Sequence, residues 1–218
     1  MKRLMKNSML ALAGASLFLV GSEAKAITTN SVTTDTYGPA TADWNHNFVL
    51  QQFNPALGSL QSVYIQVTES IEVSGTVANT GATSASFTFT PGSVLTVTMP
   101  GALGELIPNP NGIARFYTLP AGGSAPYVRS LGSDTVDTEF VLPADMEWFK
   151  GTGTFLMPSF TQVQNSFAGG GGKIVPSLVT MASGTIQVQY TYIASIPEPA
   201  ALSLLAMGGA MWLLRKRR

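Results

Sequence analysis

The sequence predicts an all-β protein, with a β-sandwich or jelly-roll-like body flanked by an N-terminal signal peptide and a C-terminal single transmembrane helix. Three observations lead there. Short interior segments alternate apolar and polar residues with the period of a half-buried strand, most clearly over 62–73, while apolar stripes at helical spacing are missing. Pro- and Gly-rich punctuation recurs between them, at Pro91-Gly92, Pro100-Gly101, Asn109 to Gly112, Ala121 to Ser124 and Gly169 to Gly172, as turns do. Thr, Val, Phe and Tyr are frequent, and such side chains suit a pleated surface. Many short strands with frequent turns favour two packed sheets.

The first element is a secretory signal peptide over 1–26. Lys2, Arg3 and Lys6 make a basic start, 9–21 is apolar or small, and Ala24-Lys25-Ala26 supplies the Ala-x-Ala cleavage site. The apolar run is shorter than the roughly 20 residues a spanning helix needs. Export by the general secretion machinery and cleavage by signal peptidase after Ala26 are expected.

The body, 27–194, follows. Strands are expected at 47–53, 62–73, 84–90, 93–99, 113–119, 135–142, 153–157 and 185–193. Between the first two, Asn54-Pro55 starts a turn and Gly58 supplies a permissive backbone position. Phe53, Pro55, Leu57, Gly58, Leu60 and Val63 fit a Phe-Asp-Pro-x-Leu-Gly-x-Leu-x-x-Val pattern, with Asn54 where Asp is usual. This stretch resembles the opening of the choice-of-anchor E domains, whose members carry interchangeable C-terminal anchors. The resemblance implies a domain defined by its sorting, and it brings no activity with it.

Composition narrows the chemistry. The net charge of zero is segregated. Between the two end segments, Arg115, Arg129, Lys150 and Lys173 face ten acids, four against ten, for a net of −6. An acidic body argues against nucleic acid as a partner, because that affinity comes from Lys and Arg on phosphates. There is no cysteine, which excludes disulfides and thiolate metal sites although an exported setting would permit the former.

Catalysis is not expected. A triad needs a base, and His46 is the single histidine, beside Trp44 and Asn45 just before a strand. It reads as a structural or exposed residue. No Gly-x-Ser-x-Gly elbow, phosphate loop or His-Glu-x-x-His motif occurs.

The acids around 134–147 are the alternative. Asp134, Asp137 and Glu139 are candidate Ca²⁺ ligands through hard carboxylate oxygens, and with Asp145 and Glu147 they are the residues a carbohydrate-active enzyme would use. Against both stands a solvated acidic edge that blunts strand pairing. Glu69 shares a period-two set with Ile65, Val67, Ile71 and Val73. It therefore marks a bulge or sheet edge, the favoured reading, or points inward and needs a partner. Trp44, Tyr117, Tyr127, Trp148, Tyr190 and Tyr192 are candidate sugar-stacking residues, although core packing accounts for most of them.

The last element is 195–218. Pro197-Glu198-Pro199 runs into an apolar stretch, 200–214, and then Arg215, Lys216, Arg217 and Arg218. The two prolines keep the backbone before the apolar run extended, as a protease groove requires. Fifteen residues make a helix of about 22 Å against a hydrocarbon core of about 30 Å. Snorkelling Arg side chains relieve that mismatch. The basic cluster stays cytoplasmic by the positive-inside rule, with Trp212 at the interface.

Motif, apolar run and basic tail together resemble the PEP-CTERM sorting signal. The resemblance implies recognition of Pro197, Glu198 and Pro199 by an exosortase of a Gram-negative-type bacterium, a transient stay in the inner membrane, and release to a cell surface or matrix rich in exopolysaccharide.

Overall fold

The computed structural model describes residues 27–170 and 173–195. The strands are β1 (Thr28–Thr41), β2 (Asn45–Gln51), β3 (Gly58–Asn79), β4 (Ala85–Thr90), β5 (Ser93–Thr98), β6 (Glu105–Leu106), β7 (Arg115–Leu119), β8 (Ser124–Phe140), β9 (Thr154–Val163), β10 (Ser166–Gly169) and β11 (Ile174–Ala194). They form three antiparallel sheets, ordered β1-β11-β3-β8, β2-β9-β5-β6 and β10-β4-β7. The protein is all-β. A single-turn helix, α1 (Pro143–Met146), follows β8, and among the described residues no helix is long and apolar enough to cross a membrane. Both the expected signal peptide, 1–26, and the expected sorting and membrane-spanning segment within 196–218 lie outside the described residues.

Alternation builds the core. Along β3, Val63, Ile65, Val67, Glu69, Ile71 and Val73 are buried while the residues alternating with them stay partly exposed, as period-two geometry dictates. On β11, Ala182, Ile186, Val188, Tyr190 and Tyr192 do the same.

The long sheet buries one face against both other sheets. In one cluster Val63, Ile65, Val67, Ile186 and Val188 pack with Phe48, Leu50, Leu95, Val97, Phe155 and Met157. In the other, Ile71, Val73, Val77 and Ala182 pack with Ala85, Phe87, Phe89 and Leu119. Each cluster lies under a different short sheet.

Several strands outrun their sequence expectation. β3 continues past Val73 because a register shift there is absorbed at Gly75, φ +151°. A Cβ on that residue would lie 2.2 Å from the Ser177 carbonyl oxygen. β9 passes through Pro158 to Val163.

Both chain ends of the described body meet at one pole. β1 starts beside the end of β11, with Thr28 opposite Ile193, and the Ala194 N–H donates to the Ile27 carbonyl at 3.1 Å. The Asn54 side chain caps the following turn, accepting from the Ala56 N–H at 3.0 Å. That turn then holds the outgoing strand. Ser195 donates through its N–H to Leu57 O at 2.9 Å and through Oγ to Ala56 O at 3.1 Å. Gly58, φ +152°, sits opposite Ala194, where a Cβ would fall 2.0 Å from the Ile193 carbonyl oxygen.

Candidate functional site

Glu69 is the one acid the long sheet buries completely, with no exposed surface. Register is continuous on both sides of it, opposite Gly184 on β11 and Asp134 on β8, so the expectation of a bulge or an edge is corrected: it lies inside a central strand and points inward. The partners that the inward reading required are present. Ser93 Oγ donates to Glu69 Oε1 at 2.5 Å and Thr161 Oγ1 donates to the same oxygen at 2.8 Å.

Neither hydroxyl reaches the other oxygen, and among the described residues Oε2 is buried without a partner. Burial therefore raises the Glu69 carboxyl above the usual range, with Asp134 adding to it and the two hydroxyls and the Leu95 backbone opposing. The residue stands between Val67 of one core cluster and Ile71 of the other. It sits where the chain crosses from β4 to β5 through Pro91-Gly92 and from β9 to β10 through Gln164-Asn165.

The candidate Ca²⁺ ligands divide between faces. Asp134 shares the inner side with Val136 and Phe140 and accepts from the Asn109 N–H at 2.7 Å. Asp137 and Glu139, one register step out of phase with it, are exposed on the outer face. Asp145 and Glu147 lie beyond the strand, where Glu147 pairs with Lys150 at 2.6 Å. Among the described residues no group of three or more His, Asp or Glu side chains is placed to hold a metal ion.

Asp134 has a counterpart that sequence reasoning missed. Asp35 on β1 accepts from the Val49 N–H at 2.7 Å and from the Thr36 N–H at 2.8 Å, and Thr33 Oγ1 accepts from the Gln51 N–H at 3.3 Å. Val49 and Gln51 belong to β2, an edge strand. Side chains of the long sheet thus occupy backbone donors that an edge leaves open to a foreign strand.

The outer face of the long sheet is a polar grid. Thr36, Thr185, Thr68 and Thr135 stand side by side across all four strands, with Oγ1 atoms 3.2 Å apart in the first pair and 2.9 Å in the last. Thr34, Gln187, Gln66 and Asp137 form the rank on one side, and Ser183, Ser70 and Ser133 the rank on the other.

Neighbouring strands lie about 4.8 Å apart and same-face residues about 6.7 Å apart. The surface therefore offers hydroxyls and amides at regular intervals. Tyr64 donates to Asp137 Oδ2 at 2.6 Å, and this bond to the carboxylate raises the phenol above its ordinary value. Glu72 is held below the carboxylate range by the Arg129 guanidinium, which donates to both of its oxygens.

A shallow depression of about 520 Å³ lies over the β2-β9-β5 face, lined by Asn45, His46, Asn47, Thr98, Pro158, Ser159 and Phe160. His46 is inside β2 rather than ahead of it and stacks on Tyr37, ring centres 4.2 Å apart. Of the six candidate sugar-stacking aromatics, Trp44, Tyr127, Tyr190 and Tyr192 are buried and Tyr117 stacks on Phe87. Trp148 is exposed. The half-exposed Phe160 lies beyond the strand expected at 153–157, in the part of β9 that continues through Pro158.

Ala24, Ala26, Pro197, Glu198, Pro199, Arg215, Lys216, Arg217 and Arg218 lie outside the described residues. No protein-family model and no curated protein matches this chain.

Proposed function

We propose that the chain is an exported, exosortase-sorted protein of a bacterial cell surface or extracellular matrix, with a β-sandwich body that has a structural or binding role and no catalytic one. The observation that carries this reading is the succession Pro197-Glu198-Pro199, apolar 200–214 and basic 215–218, beginning two residues after Ser195, where the last strand is pinned to the Ala56-Leu57 turn. The last described strand stops at Ala194, three residues before the proposed sorting motif. That order suits an enzyme that needs an extended, accessible substrate. The resemblance to choice-of-anchor E domains points the same way, since Leu57 and Gly58 of that pattern, with Asn54 at the position where Asp is usual, are the residues around the pinned end.

The test is intact-mass spectrometry of the protein from its host, wild type beside Glu198→Ala. Expected is a mature wild-type form beginning at Ile27 and lacking the segment after the Pro-Glu-Pro motif, with the variant retaining it. A tail kept through Arg218 in both refutes the processing.

A second reading, a polysaccharide-binding module, is favoured by the outer grid of Thr, Gln and Ser with Tyr64 and Asp137, whose hydroxyls and amides complement a polyhydroxylated exopolysaccharide. The carbohydrate-active enzyme finds less support, because the acids of 134–147 are spread over two faces and a pole.

A further inference from the structure

We propose that the pole carrying both chain ends is a lipid-contact surface that rests on a zwitterionic bilayer interface while the tail is still attached. The proposal rests on the reading of 200–214 as a membrane anchor. Five large apolar side chains crowd that pole, Ile27, Leu57, Val141, Leu142 and Trp148, each between 46% and 63% exposed. Their placement follows from the fold. Ile27 precedes β1, Leu57 lies in the turn that holds Ser195, and Val141-Leu142 leave β8 just after Phe140, which pairs with Val63 near the start of β3.

Trp148 is brought to the same end by the Phe53 N–H, which donates to Phe149 O at 2.8 Å. Its indole packs against Gly101, where a Cβ would come within 2.1 Å of the ring. The ring is therefore held in place by backbone rather than left loose. Large exposed apolar patches mark interaction sites, and Trp favours the boundary between headgroups and acyl chains.

Chain length decides what covers the patch. From Ser195 to Ala200 there are five residue steps, which span at most about 18 Å in any conformation. With the apolar run inserted from Ala200, the pole cannot stand farther than that from the hydrocarbon, and the headgroup layer itself takes up about 5 to 7 Å of the distance. Charge selects the lipid. Among the described residues Glu147 is paired with Lys150 at 2.6 Å and Asp145 with no cation, so the pole gains nothing from anionic headgroups.

The experiment uses the full chain carrying Trp212→Phe, reconstituted into phosphatidylcholine vesicles whose acyl chains are brominated near the headgroup. Expected is a loss of tryptophan emission relative to unbrominated vesicles, abolished when Trp148→Phe is added, since the remaining Trp44 is buried. An alkaline wash and sedimentation come first. If the chain stays in the supernatant, the anchor reading fails and this one with it. If it sediments but bromine quenches nothing, only the lipid contact is overturned, and a second copy or the processing enzyme covers the pole instead. Quenching that needs added phosphatidylglycerol overturns the zwitterionic preference.

Discussion

Glu69→Gln should change how the stability of this protein depends on pH. In the wild type both hydroxyls that reach the side chain donate to one oxygen, and the other is buried without a partner. The folded carboxyl accordingly titrates above its unfolded value, which is about 4.3. Between the two values the folded state holds a proton that the unfolded state has released. Stability therefore is full below the unfolded value and falls as pH rises through the window, by about 1.4 kcal/mol for each unit separating the two.

The substituted amide keeps an acceptor for Ser93 and Thr161 and carries no charge at any pH, so this component disappears. The variant and the wild type should differ least near pH 4, with the balance moving toward the variant as pH rises to 8. Exposed groups such as Glu72 with Arg129 are common to both and cancel in the difference, whereas the repulsion from Asp134, which faces residue 69 from β8, is part of what the variant removes. Urea unfolding at a series of pH values reads the difference directly. Parallel stability curves for the two proteins, or a balance that moves toward the wild type with rising pH, would refute the argument from burial.

Two further outcomes follow from the packing. Asp35→Ala leaves the Val49 and Thr36 amides without their acceptor, and an unsatisfied group costs about 1–3 kcal/mol where water cannot replace the bond; hydrogen exchange at Val49 should quicken selectively, and unchanged exchange there would sink the edge-sealing role. Gly184→Ala puts a methyl 3.0 Å from Phe48 Cζ and 3.1 Å from Leu95 Cδ2, and overpacking of this kind costs about 1–3 kcal/mol, so thermal unfolding should shift down by several degrees, with an unshifted midpoint counting against the packing.

What could be read in advance was governed by how each strand uses its two faces. β3 was legible in its middle because Ile65, Val67, Ile71 and Val73 face a core while Gln66, Thr68 and Glu72 face water. β1 gave no such signal. Its inward side carries Ser31 and then Thr33 and Asp35, of which the latter two bond the free edge of β2 rather than fill a core, and its outward side is Thr and Asn around Val32. A strand that works by hydrogen bonds leaves no hydrophobic alternation to find.

Glu69 was noticed for the right reason, a charge in an apolar phase, but its partners Ser93 and Thr161 are 24 and 92 residues away, and nothing local distinguishes a satisfied buried acid from a bulge. The threonine rank was out of reach in the same way. Thr36, Thr68, Thr135 and Thr185 come from four separate segments and meet only through register, which sequence patterning does not supply between distant strands.

The position of β11 bears on how this body would respond to a pull. The strand that leads to the tail is hydrogen-bonded along its length by β3 on one side and over its second half by β1 on the other. Antiparallel ladder bonds run perpendicular to the strands, so tension along the axis of β11 stresses many of them at once, in shear, where a peripheral strand peeled sideways would give way one bond at a time. A pull applied at Ser195, as the proposed anchor would apply it, is thereby spread over an inner strand.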